Sequence, residues 1–180
     1  ISNIHYGIWY AQNEAANIIC DFNSNSIGTN DSRETCNAGI YLIGRGNYDA
    51  KTVDIADEGS NLYDVWNGIQ VLNFKNSSSI HIRNNPSIVL RKADFAHYGI
   101  LVTDCRNVMI SDNTDIHSSS SNNKNGYGIF LNNVPHASIT CNDISNIGTC
   151  VGFFGHCPNI TNNAGILHKL CRVYSNNQTE

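Results

Sequence analysis

Tyr127-Gly128-Ile129-Phe130-Leu131 decides the fold, because the chain repeats it. Its relatives are Tyr6-Gly7-Ile8-Trp9-Tyr10, Ala38-Gly39-Ile40-Tyr41-Leu42, Asn67-Gly68-Ile69-Gln70-Val71, Tyr98-Gly99-Ile100-Leu101-Val102 and Val151-Gly152-Phe153-Phe154-Gly155. Their glycines stand 32, 29, 31, 29 and 24 residues apart. A fixed motif at a period in the twenties to thirties marks a solenoid.

Each Gly-Ile stretch is followed by a second, shorter one of the form apolar-x-apolar-x-x-Asn. Examples are Ile80-His81-Ile82-Arg83-Asn84-Asn85, Val108-Met109-Ile110-Ser111-Asp112-Asn113 and Ala137-Ser138-Ile139-Thr140-Cys141-Asn142. The alternation at period two is that of a half-buried strand, and no helical period competes with it. One repeat departs from the pattern: Val53-Asp54-Ile55 alternates, but Glu58 stands where Asn is expected.

Two or three short strands per repeat make a parallel β-helix of about six coils, in which each strand stacks on its counterpart about 4.8 Å away. Ile8, Ile40, Ile69, Ile100, Ile129 and Phe153 are then expected to form one interior ladder, and Tyr10, Leu42, Val71, Val102 and Leu131 the next. Asn23, Asn85, Asn113, Asn142 and Asn163 are expected to stack at a tight turn and pair their side-chain amides along the axis. The whole of 1–180 reads as one β-helix segment of a longer chain, with loops at 24–37, 43–64 and 117–126 carrying its variable surface. Neither end shows a recognisable cap, so the remainder of the chain or a partner is expected to cover one.

Composition agrees with this architecture. Charged residues are only 14% of the chain, against about 25% in ordinary domains. Asparagine takes up the difference with 28 residues, and it tolerates the left-handed backbone of tight turns. A net charge of -4 and the lack of a Lys/Arg stripe exclude a nucleic-acid partner. No apolar run approaches the roughly 18 residues that span a bilayer. The seven cysteines form no C-x-x-C pair, so a zinc site is not expected. They fit an exported protein with one or more disulfides of unreadable connectivity. The competing reading is that several simply fill small interior positions.

The Gly-Ile strand followed by I-x-I-x-x-N resembles the right-handed parallel β-helix repeat of the pectate-lyase-like superfamily, over nearly the whole chain. In the second half, Cys141-Asn142-Asp143-Ile144-Ser145-Asn146, then Val151 to Cys157, then Ile160-Thr161-Asn162-Asn163, is similar to Cys-containing repeats of large exported Bacteroidetes proteins. That likeness implies secretion by the type IX route and a bacterial cell-surface or secreted location. It implies a polysaccharide, or another surface or secretion protein, as partner. The superfamily also holds polysaccharide lyases, glycoside hydrolases and phage tailspikes, which are the rival classes.

Catalytic residues are not assigned. Asn113-Thr114-Asp115 matches one polygalacturonase-like motif and Gly155-His156 part of another, but Cys157 replaces a Gly and no Asp-Asp pair exists. Hydrolysis needs two carboxylates across one glycosidic bond. A lyase base beside a carboxylate cluster would have to come from Arg91-Lys92-Ala93-Asp94 and Asp54, Asp57 and Glu58, which read as solvated loop charges. No cofactor or metal is expected: the histidines lack ligand spacing, and Asp112 with Asp115 falls short of a calcium cage. The candidate site is instead an outward column between the two interior ladders: Trp9, Tyr41, Gln70, Leu101, Phe130 and Phe154. An apolar, aromatic column of this kind marks a contact surface, either a platform for sugar rings or protein, or a face covered by the rest of the chain.

Overall fold

The structure, a computed structural model, describes residues 6–12, 17–21, 26–28, 36–45, 52–56, 61–76, 79–91, 95–120, 124–162, 167–169 and 172–175. The described chain is all strand and turn, with no helix. The first strand type contains the Gly-Ile motif: β1 (Tyr6–Ala11), β4 (Cys36–Ile43), the second half of β6 (Asn61–Leu72), β9 (His97–Thr103), β12 (Gly126–Asn132), β15 (Thr149–Phe154) and β18 (Arg172–Ser175). The second is the alternating strand: β2 (Ile18–Asp21), β5 (Thr52–Ala56), β7 (Ser79–Arg83), β10 (Val108–Ser111), β13 (His136–Thr140) and β16 (Asn159–Asn162). A third type follows the Asn turn: β3 (Ser26–Gly28), the first half of β6, β8 (Ser87–Leu90), β11 (Ile116–Ser118), β14 (Asp143–Ser145) and β17 (Leu167–Lys169).

Like pairs only with like, and always in parallel, one repeat away. This is a parallel β-solenoid. It has about four turns rather than the six expected. The third strand type was not singled out in the sequence. β3 falls inside the expected loop 24–37, β5 and the start of β6 inside 43–64, and β11 overlaps 117–126.

The core follows from the period. Ile40, Ile69, Ile100, Ile129 and Val151 are fully buried and in register. So are Ile55, Ile82, Ile110 and Ile139 from the second strands. Leu62, Ile88, Ile116 and Ile144 close the triangle from the third. Each such side chain contributes about 1.5–3 kcal/mol by leaving water.

The repeated glycine is explained by that third strand. A Cβ on Gly99 would lie 2.5 Å from the Ile116 Cγ2 and 2.5 Å from the Gly128 carbonyl oxygen. Gly68 and Gly128 meet Ile88 and Ile144 in the same way. The glycine sits at the corner where two strand faces converge, and only hydrogen fits.

This corrects the last repeat. Val151, not Phe153, stands opposite Ile129, and Phe153 stands opposite Leu131. Matching the glycines placed the motif two residues out of register. The counterpart of Gly128 is Cys150, whose carbonyl oxygen lies 2.7 Å from where the Gly128 Cβ would be. Gly152 is small for another reason: the Phe130 and Tyr127 rings fill the space of its side chain, at 2.8 and 3.1 Å.

The turns use the chain's polar wealth. Eight of the nine non-glycine residues with left-handed backbone among those described are Asn or Asp, and Cys141 is the ninth. Asn84, Asp112 and Cys141 take that conformation immediately before Asn85, Asn113 and Asn142. Their reversal points the following amide inward. Asn85 Nδ2 donates to Asn113 Oδ1 at 2.8 Å, and Asn113 Nδ2 donates to Asn142 Oδ1 at 2.7 Å, all buried. Asn23 and Asn163 lie outside the described residues.

Among the cysteines, Cys150 is disulfide-bonded. Cys36, Cys105 and Cys157 are buried thiols that donate to backbone carbonyls, as Cys105 Sγ does to the Thr103 oxygen at 3.2 Å. Both readings of the cysteine content therefore apply, to different residues.

Candidate binding face

The candidate column lies on the outer side of the first-type sheet, because Trp9, Tyr41, Gln70, Leu101 and Phe130 alternate with the buried ladders. Their pairing is continuous: Trp9 with Tyr41, Tyr41 with Gln70, Gln70 with Leu101, Leu101 with Phe130. The sixth member is Gly152, not Phe154. Phe154 pairs with Asn132 in the adjacent column and is 55% exposed there. Trp9 is 61% exposed, while Tyr41, Gln70, Leu101 and Phe130 are half-buried.

Half-burial comes from neighbours that the sequence reading did not place. The residue before each glycine sits beside the column, so Tyr6, Tyr98 and Tyr127 join it. Tyr6 packs on Tyr41 with ring centroids 4.9 Å apart. Tyr98 stacks on Tyr127 at 5.5 Å, and both meet Phe130, at 5.2 and 4.9 Å. The signal was present as a Tyr-Gly-Ile variant of the motif in three repeats, but alternation alone would have turned that tyrosine inward. The corner at the glycine reverses it.

Between the two aromatic clusters Asn67 mends the backbone: its Nδ2 donates to the Asn37 oxygen and its Oδ1 accepts from the Tyr98 N–H, both at 3.0 Å. The third outward column runs through Ala11, Ile43, Leu72, Thr103, Asn132 and Phe154. From β1 to β15 the three columns contain no charged residue among those described, and in β18 Arg172 pairs with Thr149 in the column of the tyrosines. Burial pushes the Tyr98 and Tyr41 phenols above their ordinary range, helped by the neighbouring Tyr127 and Tyr6. Up to β15 the face is thus neutral, with aromatic edges and a few hydroxyls and amides.

The enzyme-like motifs are not brought together. Asn113 is fully buried in the turn ladder. Asp115 accepts from Ser87 Oγ at 3.4 Å and lies 2.8 Å from His117 Nδ1, at the start of a third-type strand. Gly155 and His156 belong to the turn after β15, where the His156 N–H donates to Asn133 Oδ1 at 3.0 Å. Asp54 is held by Arg83, and Arg91 is held by Asp64. Asp57, Glu58, Lys92 and Asp94 lie outside the described residues.

Two shallow depressions flank the solenoid away from the column. One of about 570 Å³ is lined by Asn107, His136, Ser138 and Asn159, and one of about 250 Å³ by Lys75, Asp104, Arg106 and His156. No group of three or more His, Cys, Asp or Glu among the described residues is placed to hold a metal ion. No described helix is long and apolar enough to cross a membrane. Comparison with protein-family models, with curated proteins and with solved structures finds no match for this chain.

Proposed function

We propose that this chain is a non-catalytic binding segment of an exported bacterial cell-surface or secreted protein, adhesin-like in use, with the first-type sheet as its contact face. The observation that carries this reading is the uncharged outer column in which Trp9, Tyr41, Gln70, Leu101 and Phe130 stand in register. Aromatic rings beside hydroxyls and amides suit sugar rings or a protein surface, since one part is apolar and the other hydrogen-bonds. The likeness of the Cys-containing repeats to exported Bacteroidetes proteins supports the location and the type IX route.

Glycan-array binding tests it. Trp9→Ala and Phe130→Ala should each abolish or strongly weaken the binding of the intact chain. Trp9 is the cleaner probe, because its exposed ring contributes little to folding. Binding unchanged in both variants would leave the column an internal contact and end the platform reading.

A further inference from the structure

The amide ladder runs one way. Between amides, Nδ2 donates to Oδ1 of the later repeat, from Asn85 to Asn113 and from Asn113 to Asn142. At its start, Asn85 Oδ1 is buried and has no hydrogen-bond partner. One repeat earlier the sequence offers Glu58 in place of the ladder asparagine, and an ionised carboxylate has no hydrogen to give.

The two bidentate Arg–Asp pairs cross this same junction. Arg83 reaches back from β7 to Asp54 in β5, with Nε on Oδ1 at 3.1 Å and Nη2 on Oδ2 at 2.8 Å. Arg91, just after β8, reaches back to Asp64 in β6, with Nε on Oδ1 at 3.0 Å and Nη2 on Oδ2. Asp64 itself stands in a left-handed kink (φ 55°), where the pairing of β6 with β8 slips register between Leu62 and Val65. So the amide tie is missing and one ladder of backbone pairing is irregular where the ionic grips occur.

We infer that this junction is a joint latched by charge. When the two Arg–Asp pairs are screened or removed, the repeats ahead of it come away as a unit, while the amide-laddered repeats stay closed. Solenoids open in this manner because each repeat touches only its neighbours.

Peptide-resolved hydrogen exchange on the whole chain, at low salt and at about 1 M salt where the Debye length is about 3 Å, reads the joint directly. Amides of 36–56 should exchange roughly three- to tenfold faster at high salt, the combined strength of two such pairs, with 108–142 unchanged. A uniform change along the chain, or none, overturns the inference. The double variant Asp54→Asn/Asp64→Asn should show fast exchange already at low salt and lose its salt dependence; a retained dependence refutes the latch.

Discussion

At Asn113 every hydrogen-bonding atom of the side-chain amide is in use. Its Oδ1 accepts from Asn85 Nδ2 and from the Asn85 N–H, and its Nδ2 donates to Asn142 Oδ1 and to the Ile82 oxygen. Asn113→Ala strands partners on both sides and should cost about 2–3 kcal/mol in chemical denaturation, given the penalty of leaving buried polar groups unmade. Asn85→Ala removes a side chain whose oxygen already lacks a donor, and should cost about 1 kcal/mol. Equal losses would contradict the directional ladder. Glycines differ in the same graded way. Gly99→Ala meets a backbone carbonyl and a packed Ile116 methyl, whereas Gly152→Ala meets mainly the Phe130 ring, which can turn aside. The first should destabilise by about 1–3 kcal/mol and the second by clearly less, as thermal melts would show.

Residue chemistry also sets a pH response. Burial pushes the Cys105 thiol from 9.0 up to about 12, against smaller opposing help from backbone hydrogen bonds. An acid with a raised folded pKa keeps its proton longer in the folded state, so its stabilising effect is complete below pH 9 and is lost as pH climbs toward 12. Tyr98 and Tyr41 add to the same alkaline loss. Melting temperature should therefore fall above pH 9, and Cys105→Val should flatten the first part of that fall. An unchanged slope would show that Cys105 is not its source.

At the scale of the strand, legibility depended on how many residues carried the signal. The first and second strand types hold two alternating apolar positions each, so their faces could be read from period two. The third type is short, and in Ile116-His117-Ser118 and Asp143-Ile144-Ser145 it holds one fully enclosed apolar anchor, although β8 holds two, Ile88 and Leu90. No period can be read from a single anchor, although an Ile recurs two to four residues beyond each ladder Asn. Glycine spacing misleads in the last repeat because glycine does two jobs. It yields to an isoleucine methyl at Gly99 and Gly128, and to aromatic rings at Gly152. The corrected register has its own test. Phe154→Ser should leave stability and glycan binding nearly unchanged, since Phe154 lies outside the Trp9–Phe130 column; loss of binding would reinstate it.

For the molecule as a whole, stability is a sum over neighbouring repeats, and different junctions are tied by different chemistry. Hydrogen bonds between buried amides tie the middle, ion pairs tie the junction before it, and the Cys150 disulfide adds a covalent tie at β15. Reducing that disulfide should accelerate exchange in 149–162 and leave 79–111 unaltered, because a solenoid transmits little beyond the adjacent repeat.

Sequence by itself determined the solenoid, the two main strand faces, the asparagine turn and the outward placement of Trp9, Tyr41, Gln70, Leu101 and Phe130. Those features rest on spacing along one chain, which periodic packing must obey. The tertiary structure alone decided which residue of the last repeat faces which, that Tyr98 and Tyr127 enclose Phe130, and that Arg83 and Arg91 grip the repeat before them. Apart from Tyr127 against Phe130, those are contacts between residues 22 to 32 positions apart, and they depend on how side chains divide space that no single repeat encloses.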